Sequence, residues 1–280
     1  MKQITCIILT IFILTNCSND KTSTADNNTN PIESLKQNFI PVFKGVWVLT
    51  DYIEAIDKTR SPLRSAGKLQ GVVTMVIDGT AQSDSIEVGA SLNNHEGYNF
   101  TTYFLTGQNQ HSLKTNIPDY DDKSNFYELG YETINDQTFL FLYHYDKTIK
   151  LINKKKFSKV ADKQQDNDPV WGLQYVVNEK LFSGNYLLID STNAATKINL
   201  KSDGSLTSHP DFRSYYVFTD FMGTPEAIID EIVFNLNEKN AKSFAFKITN
   251  DTTYLYSTVG NEEAGEPLQP GKIQYKLVRK

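Results

Sequence analysis

Two nine-residue stretches share one pattern, and this pattern constrains the fold more than any other feature of the chain. Residues 43–51 read FKGVWVLTD and residues 182–190 read FSGNYLLID, so both follow Phe-x-Gly-x-aromatic-x-Leu-x-Asp. Glycine permits a sharp turn, and the residues after it alternate as they do in a β-strand. The stretches therefore predict the first strands of two copies of one β-rich module, because self-similarity of this kind indicates an internal duplication.

Runs with a two-residue period follow each opening and are separated by turn signals such as Asp78-Gly79. In the first copy the predicted strands cover residues 46–52, 72–77, 86–90, 98–105, 126–133, 138–145 and 148–153. In the second copy they cover residues 185–191, 197–201, 213–221, 231–236, 243–249, 252–258 and 272–279. Short helices are predicted within residues 32–40, 53–68 and 171–181, and residues 107–124 form a long polar segment without a predicted strand. The pattern indicates an all-β protein built from antiparallel sheets.

The N-terminus carries the features of a secreted, lipid-anchored protein. Lys2 precedes an apolar run of about a dozen residues, which is typical of a signal peptide covering residues 1–16. Leu14-Thr15-Asn16-Cys17 resembles a bacterial lipobox, so Cys17 is the predicted lipidation site and the membrane is a predicted partner. Residues 17–37 are polar and predict a flexible tether. We therefore expect a lipoprotein of the cell envelope, anchored in the outer membrane on its periplasmic or surface face.

The positions of the cysteines and the net charge argue against two classes of function, cysteine chemistry and nucleic-acid binding. Cys6 and Cys17 are the only cysteines of the sequence, and both lie in the predicted leader region. The body of the protein therefore has no cysteine nucleophile, disulfide or thiolate metal site. The net charge of −5 argues against nucleic-acid binding, which requires a basic face.

The two openings, together with the ending Tyr275-Lys276-Leu277-Val278-Arg279, resemble those of lipocalin-like proteins of the calycin group. The resemblance is to lipoproteins of the Bacteroidota type, and it implies two tandem antiparallel β-barrels over residues 38–158 and 178–280, joined by a linker over 159–177. In that group an aromatic residue of the first strand packs at the closed barrel end against a basic residue of the last strand. The resemblance thus assigns barrel-end structural roles to Gly45, Trp47, Gly184, Tyr186 and Arg279. In the first copy, Lys154 or Lys156 is the implied partner of Trp47.

Catalytic and metal-binding patterns are weak. Ser65-Ala66-Gly67-Lys68 matches Ser-x-x-Lys, but the partner motifs of serine acyl-transfer enzymes are missing. The four histidines have no metal-binding spacing, and His144 is predicted to be a surface or hydrogen-bonded sheet residue. The acidic cluster Asp119–Asp122 lacks the glycine and glutamate of a calcium loop and predicts a solvated loop. We therefore predict a protein that is not an enzyme and has no metal or cofactor.

Aromatic rows on the predicted strands are the broadest positive signal for binding. Small eight-stranded barrels are either filled by side chains or hold one small ligand. The larger first copy offers Tyr98, Phe100 and Phe104 on one strand face, and Tyr143 and Tyr145 on another, as candidate ligand-binding residues. The leading hypothesis is the binding of a small apolar or amphipathic ligand, or of an envelope protein, there or between the copies. The alternatives are a structural accessory subunit of an outer-membrane complex and an enzyme that modifies an envelope polymer.

Overall fold

The computed structural model of the protein describes residues 30–165, 168–221, 228–260 and 266–280. The predicted signal peptide, the lipidation site at Cys17 and most of the predicted tether lie outside these residues. The end of the predicted tether is helical instead, because α1 spans Pro31–Phe43. Asn30 accepts a hydrogen bond from the Ile32 N–H at 3.1 Å and so caps the helix, while Ile32 and Leu35 pack against the core.

The first half of the chain is a closed barrel of eight antiparallel strands in sequence order, in which β1 pairs with both β2 and β8. The strands are β1 (Gly45–Leu49), β2 (Val72–Ile77), β3 (Ser85–Leu92), β4 (Glu96–Thr106), β5 (Ser112–Thr115), β6 (Phe126–Ile134), β7 (Gln137–Tyr145) and β8 (Leu151–Ala161). All of them except β5 overlap a predicted strand. β5 lies within the polar segment 107–124, and its four residues are too few to show a period.

Helices close the interior of this barrel. At one end, α1 packs Phe39 and Phe43 into the core, and the Trp47 indole N–H donates a hydrogen bond to the Phe43 carbonyl oxygen at 2.7 Å. After β1 the chain forms α2 (Thr50–Thr59), which buries Tyr52 and Ile56 completely. The short helix α3 (Pro62–Ser65) and a 3₁₀ turn (Ala66–Lys68) follow. The single short helix predicted within residues 53–68 is therefore three consecutive helical segments.

The second half repeats this order of elements. Helix α4 (Trp171–Leu181) precedes a second eight-stranded antiparallel sheet in which the first strand, β9, again pairs with the last, β16. The strands are β9 (Gly184–Asp190), β10 (Ala195–Leu200), β11 (Leu206–Thr207), β12 (Tyr215–Val217), β13 (Asp230–Phe234), β14 (Lys242–Thr249), β15 (Thr252–Val259) and β16 (Gln269–Arg279). The structure thus supports an all-β protein with two similar meanders of strands.

The second sheet is not a closed barrel like the first, so the prediction of two tandem barrels is not confirmed. Its order is β11-β10-β9-β16-β15-β14-β13-β12, which leaves β11 and β12 at the edges. These edge strands have two and three residues and meet through only a few backbone hydrogen bonds. The Leu206 N–H donates to the Arg213 carbonyl at 2.7 Å, and the Tyr215 N–H to the Gly204 carbonyl at 2.8 Å. Strands this short cannot form a continuous ladder.

Both sheets begin with the same arrangement of a glycine, an aromatic ring and a cation. Gly45 and Gly184 adopt φ angles of 139° and 145°, a region that favours glycine. In the second half, the Arg279 guanidinium lies 5.2 Å from the centre of the Tyr186 ring, and these two residues are register partners. Arg279 also donates a hydrogen bond to the Ser183 carbonyl at 3.0 Å.

In the first half the cation is Lys159, so the assignment of Lys154 or Lys156 to Trp47 is wrong. The Lys159 ammonium lies 5.9 Å from the Trp47 ring, and the two residues are register partners. The predicted last strand ends at residue 153, whereas β8 continues to Ala161 and so brings a later lysine to this end. Lys154 and Lys156 lie over the rings of Phe141 and Phe139 instead.

Helix α4 joins the two halves and is buried on several sides. Residues 159–161 belong to β8 and residues 171–177 to α4, so much of the predicted linker is regular structure. Gly172 lies against the outer face of β1, where an added Cβ would be 2.6 Å from Val46 Cγ1 and 3.3 Å from Val48 Cγ2. On its other side, the Gln174 amide donates to the Val217 carbonyl at 2.8 Å. One continuous apolar cluster therefore runs through both sheets and α4.

We expect Gly172→Leu to destabilise the whole described chain, because the new side chain has no space between α4 and β1. Overpacking of this kind costs about 1–3 kcal/mol. Urea unfolding at equilibrium measures the change. Gly67→Leu is the matched control, since a Cβ at Gly67 meets no atom within 4 Å. Equal stability of the two variants would show that the contact between α4 and β1 is not close.

A strained residue marks the hairpin between β7 and β8. Ile149 has a φ of 66°, which is a genuine outlier for a β-branched residue. It occupies a turn in which the Asp146 carboxylate accepts hydrogen bonds from the Thr148 N–H at 2.8 Å and the Lys150 N–H at 3.0 Å. The same turn recurs at Asp190, where Asn193 takes the equivalent position with a φ of 65°.

Exchange of these two turn residues should shift stability in opposite directions. The left-handed conformation disfavours isoleucine by roughly 1–2 kcal/mol, whereas asparagine visits it routinely. We expect Ile149→Asn to raise the free energy of unfolding by about 1 kcal/mol, and Asn193→Ile to lower it by a similar amount. Urea titration of both variants measures this. A loss of stability in Ile149→Asn would mean that the isoleucine side chain packs against the fold.

Candidate functional site

A groove on the outer wall of the barrel is the best-defined candidate site among the described residues. Its volume is about 1160 Å³, and it runs over β2, β3 and β4, with the segment after β8 as its side wall. Residues of five separate segments line it: Lys44, Gly45, Val76, Ile77, Asp78, Thr80, Gln82, Glu87, Gly89, Gly97, Tyr98, Asn99, Asp162, Lys163, Gln164 and Pro169. Concave surfaces of this size commonly bind small molecules or chain segments.

Two glycines keep the floor of the groove open. A Cβ at Gly89 would have Asn99 Oδ1 at 3.7 Å as its nearest neighbour, and one at Gly97 would have Pro169 Cγ at 3.5 Å. Both distances are ordinary van der Waals contacts, so the protein itself does not require glycine at either position for space. A larger side chain at Gly89 would point into the groove and fill it.

The charged groups of the groove have mixed signs. Lys44 and Lys163 form no ion pair within the described ranges, and they lie at the end of the barrel where β1 begins. Asp162 pairs with Lys159 at 2.8 Å, and this hydrogen bond, together with the charge of Lys159, lowers the pKa of the Asp162 carboxyl. On the floor, the Asn99 amide donates to the Glu87 carboxylate at 2.9 Å. The groove therefore offers hydrogen-bonding groups of both kinds next to apolar surface from Val76 and Pro169.

The predicted ligand-binding residues do not form one site. Phe100 and Phe104 are buried in the main core inside the barrel, and Tyr98 stacks on Phe100 with ring centres 6.2 Å apart. Tyr143 and Tyr145 lie on the face of β7 that points away from this core, and they belong to a separate cluster. Period-two alternation places each set on one strand face, but it does not show which face points into the barrel. Tyr98 is the one member of the predicted set that also lines the groove.

The second aromatic cluster is a row on the outer face of the barrel. Phe139, Phe141, Tyr143 and Tyr145 follow one another along β7 and are buried, with Phe126 stacked on Tyr145. The Lys156 ammonium lies 3.6 Å from the centre of the Phe139 ring, and the Lys154 ammonium lies 4.3 Å from the centre of the Phe141 ring. The attraction between cation and ring holds each lysine over its ring. These rings stabilise the sheet and are not open to a ligand.

Two acidic groups accompany this row, the half-buried Glu132 and the buried Glu128. The Tyr143 hydroxyl donates to the Glu132 carboxylate at 2.9 Å, and burial raises the pKa of this tyrosine well above its usual range. Glu128 is fully buried and accepts hydrogen bonds from the Gln108 N–H and from the Ser112 hydroxyl, the latter at 2.7 Å. Glu128 thus holds the β4–β5 connection against the barrel.

The acidic cluster is a loop held onto the barrel. The Asp119 carboxylate accepts hydrogen bonds from the Asn125 amide at 2.8 Å and from the Asp121 and Asp122 N–H groups at 2.8 and 3.2 Å. It also lies 2.8 Å from His144 Nε2, and the Tyr127 ring stacks on this histidine at 4.3 Å. The side chain of Asp119 is buried, so the prediction of a solvated loop is wrong for this residue.

No metal or catalytic cluster stands out in the part of the chain that the structure describes. Within it, no three or more His, Asp or Glu side chains are grouped to hold a metal ion. Ser65 is buried and donates a hydrogen bond to the Ser61 carbonyl at 2.9 Å, whereas Lys68 is exposed. The Ser-x-x-Lys match is therefore not arranged as a nucleophile and its base. In the same ranges, no helix has both the length and the apolarity needed to cross a membrane.

The groove has little signature in the sequence, because its residues come from segments far apart in the chain and most are common surface types. The usable signal was Gly89 within a run of strand residues, since glycine inside a strand often marks the close approach of another group.

Comparisons of the chain with known protein families, with curated proteins and with solved structures found no significant match. The resemblance to lipocalin-like lipoproteins therefore rests on the residues of the two openings and the ending.

We expect Asp119→Asn to lower stability at pH 7 and to lose this effect in acid. Hydrogen bonds, led by that from Asn125, lower the pKa of Asp119 in the folded state. The carboxylate therefore stabilises the fold above the unfolded pKa of about 3.9, and this stabilisation disappears as the pH falls through the folded pKa. Urea unfolding of both proteins from pH 7 downward measures the difference. Asp136→Asn, at an exposed turn, is the control, and a constant difference at all pH values would contradict the prediction.

Proposed function

We propose that this protein is a non-catalytic binding protein of the cell envelope, held at a membrane by a lipid on Cys17, whose ligand lies in the groove on the outer wall of the barrel. The leader sequence, the lipobox-like residues and the polar segment after them support the anchored location. The open glycine floor of the groove is the observation that carries the binding role.

The chemistry of the groove favours an amphipathic ligand with hydrogen-bonding groups. The barrel interior is filled by buried apolar side chains, so the ligand is not a small apolar molecule enclosed there. In the groove, Lys44 and Lys163 favour a negative group, while Glu87 and Asn99 favour donors and acceptors, with apolar surface between them. A short peptide segment, free or belonging to an envelope protein, has this combination of groups.

The carboxylates of the groove support a binding role. Asp78 accepts a hydrogen bond from the Thr80 N–H at 2.6 Å, Glu87 from the Asn99 amide at 2.9 Å, and Asp162 pairs with Lys159 at 2.8 Å. These contacts orient each carboxylate and leave its second oxygen able to accept hydrogen bonds from a ligand.

A binding screen tests the proposal directly. We would titrate the isotopically labelled protein with a library of amino acids, dipeptides and small sugars and follow the backbone amides by NMR. We expect dipeptides to shift the amide signals of Gly89, Gly97 and Asn99. Gly89→Leu should weaken this binding at least about tenfold, because the leucine fills the floor while the strand keeps its conformation.

Gly67→Leu is the control, since it adds the same side chain in open space outside the groove. It should bind as the unmodified protein does. Shifts confined to other surfaces, or equal binding by Gly89→Leu, would overturn the assignment of the groove. Binding of sugars but not dipeptides would keep the site and change the ligand class.

A further inference from the structure

The tip of the β7–β8 hairpin combines exposed apolar side chains with a strained backbone. Residues 147–154 are all exposed, and Ile149, Leu151 and Ile152 have exposed fractions of 53%, 43% and 48%. Single exposed apolar residues are ordinary on protein surfaces, but three within four positions concentrate exposed apolar side chains at one hairpin tip.

The isoleucine at the tip is unfavourable for the isolated fold. Most of the other non-glycine residues with positive φ are Asn or Asp, which tolerate this conformation, whereas Ile149 is β-branched. Its side chain is half exposed, so burial within the chain does not offset the strain. Local strain of this kind is a reason to look for a function at the site.

Lysines flank the apolar side chains of the tip. Lys147 and Lys150 are exposed beside Asp146, whose carboxylate accepts hydrogen bonds from the turn backbone. The lysines farther along β8 are held by the barrel, since Lys154 pairs with Glu132 and Lys156 lies over the Phe139 ring. Lys150 forms no ion pair in the described ranges. Lys147 lies close enough to Asp122 to help lower the pKa of that carboxyl, after the larger effect of the Ser124 hydrogen bonds. The end of the loop that holds Asp122 lies beside the hairpin, because β6 begins at Phe126 opposite Tyr145 at the end of β7.

We propose that this hairpin tip inserts into the interface of an anionic phospholipid bilayer. Ile149 and Leu151 enter the boundary between head groups and acyl chains, while Lys147 and Lys150 lie at the lipid phosphates. Apolar side chains flanked by lysines fit this environment better than a nucleic acid or an acidic protein, which would use the lysines but leave the isoleucine in water. The inference does not depend on the ligand of the groove.

The length of chain before the fold is compatible with this contact. Residues 18–30 separate the predicted lipid on Cys17 from α1, and a chain of this length reaches at most about 45 Å. Helix α1 leads into β1 at the barrel end where β8 finishes, so the tip lies at the other end, and the 11 residues of β8 span roughly 35 Å. A lipid anchor and a basic apolar tip would then be two attachments of one molecule. Two attachments fix the orientation of the protein on the membrane, which a single flexible tether does not.

Relaxation enhancement by spin-labelled lipid tests the proposal in the full chain. The protein carries labelled isoleucine and leucine methyl groups and is mixed with vesicles of equal phosphatidylglycerol and phosphatidylcholine that contain doxyl-labelled lipid. Ile134 and Ile273 are internal controls, since they are exposed by 39% and 41% but lie elsewhere. We expect the enhancement at Ile149 and Leu151 to exceed that at the controls by at least about threefold, and to fall in pure phosphatidylcholine.

Ile149→Asn separates membrane contact from folding. It relieves the backbone strain, so the variant stays folded, yet we expect it to lose most of the enhancement at Leu151. Equal enhancement at tip and control residues, or no effect of the substitution, would overturn the proposal. Soluble polyglutamate is the competing probe. If it perturbs the tip signals while anionic vesicles do not, the surface binds an acidic polymer and the membrane proposal is wrong.

Discussion

The close approach of α4 to β1 at Gly172 is the contact on which the arrangement of the whole molecule depends. A barrel strand usually presents one face to water, but β1 is buried on both faces because the helix covers its outer valines. The same helix packs against the second sheet through Gln174 and its apolar neighbours. The fold is therefore two duplicated meanders that share one core, and the second sheet, with its very short edge strands, has the first barrel and α4 as support.

Much of this fold follows from local sequence patterns. The glycine and aromatic residue of each opening, followed by period-two alternation, predict where β1 and β9 begin, and the apolar residues of 171–181 predict α4. Short elements escape such reasoning: β5 and β11 have four and two residues, fewer than a period requires. The end of β8 was missed because its lysine-rich sequence resembles a loop, and with it the role of Lys159.

The site was harder to predict than the fold, for a physical reason. Alternation assigns residues to strand faces but does not show which face points into the barrel, since an aromatic row faces inward on β4 and outward on β7. The aromatic row of β4 packs in the core and that of β7 lies beneath lysines, so neither row is accessible to a ligand. The groove forms where the strand surface around Gly89, which lacks a side chain there, lies next to the segment after β8. No sequence pattern predicts that these two segments are neighbours.

The pairing of first with last strands has a consequence for the order in which the chain folds. The first barrel can close before the second sheet forms, since β8 completes it and domains generally fold as units. The second sheet cannot form before β16 is in place, because β16 lies in its middle, between β9 and β15. Contacts of such long range form slowly. The C-terminal strand Gln269–Arg279 is thus a central element, and shortening the chain there would divide the second sheet instead of trimming its edge.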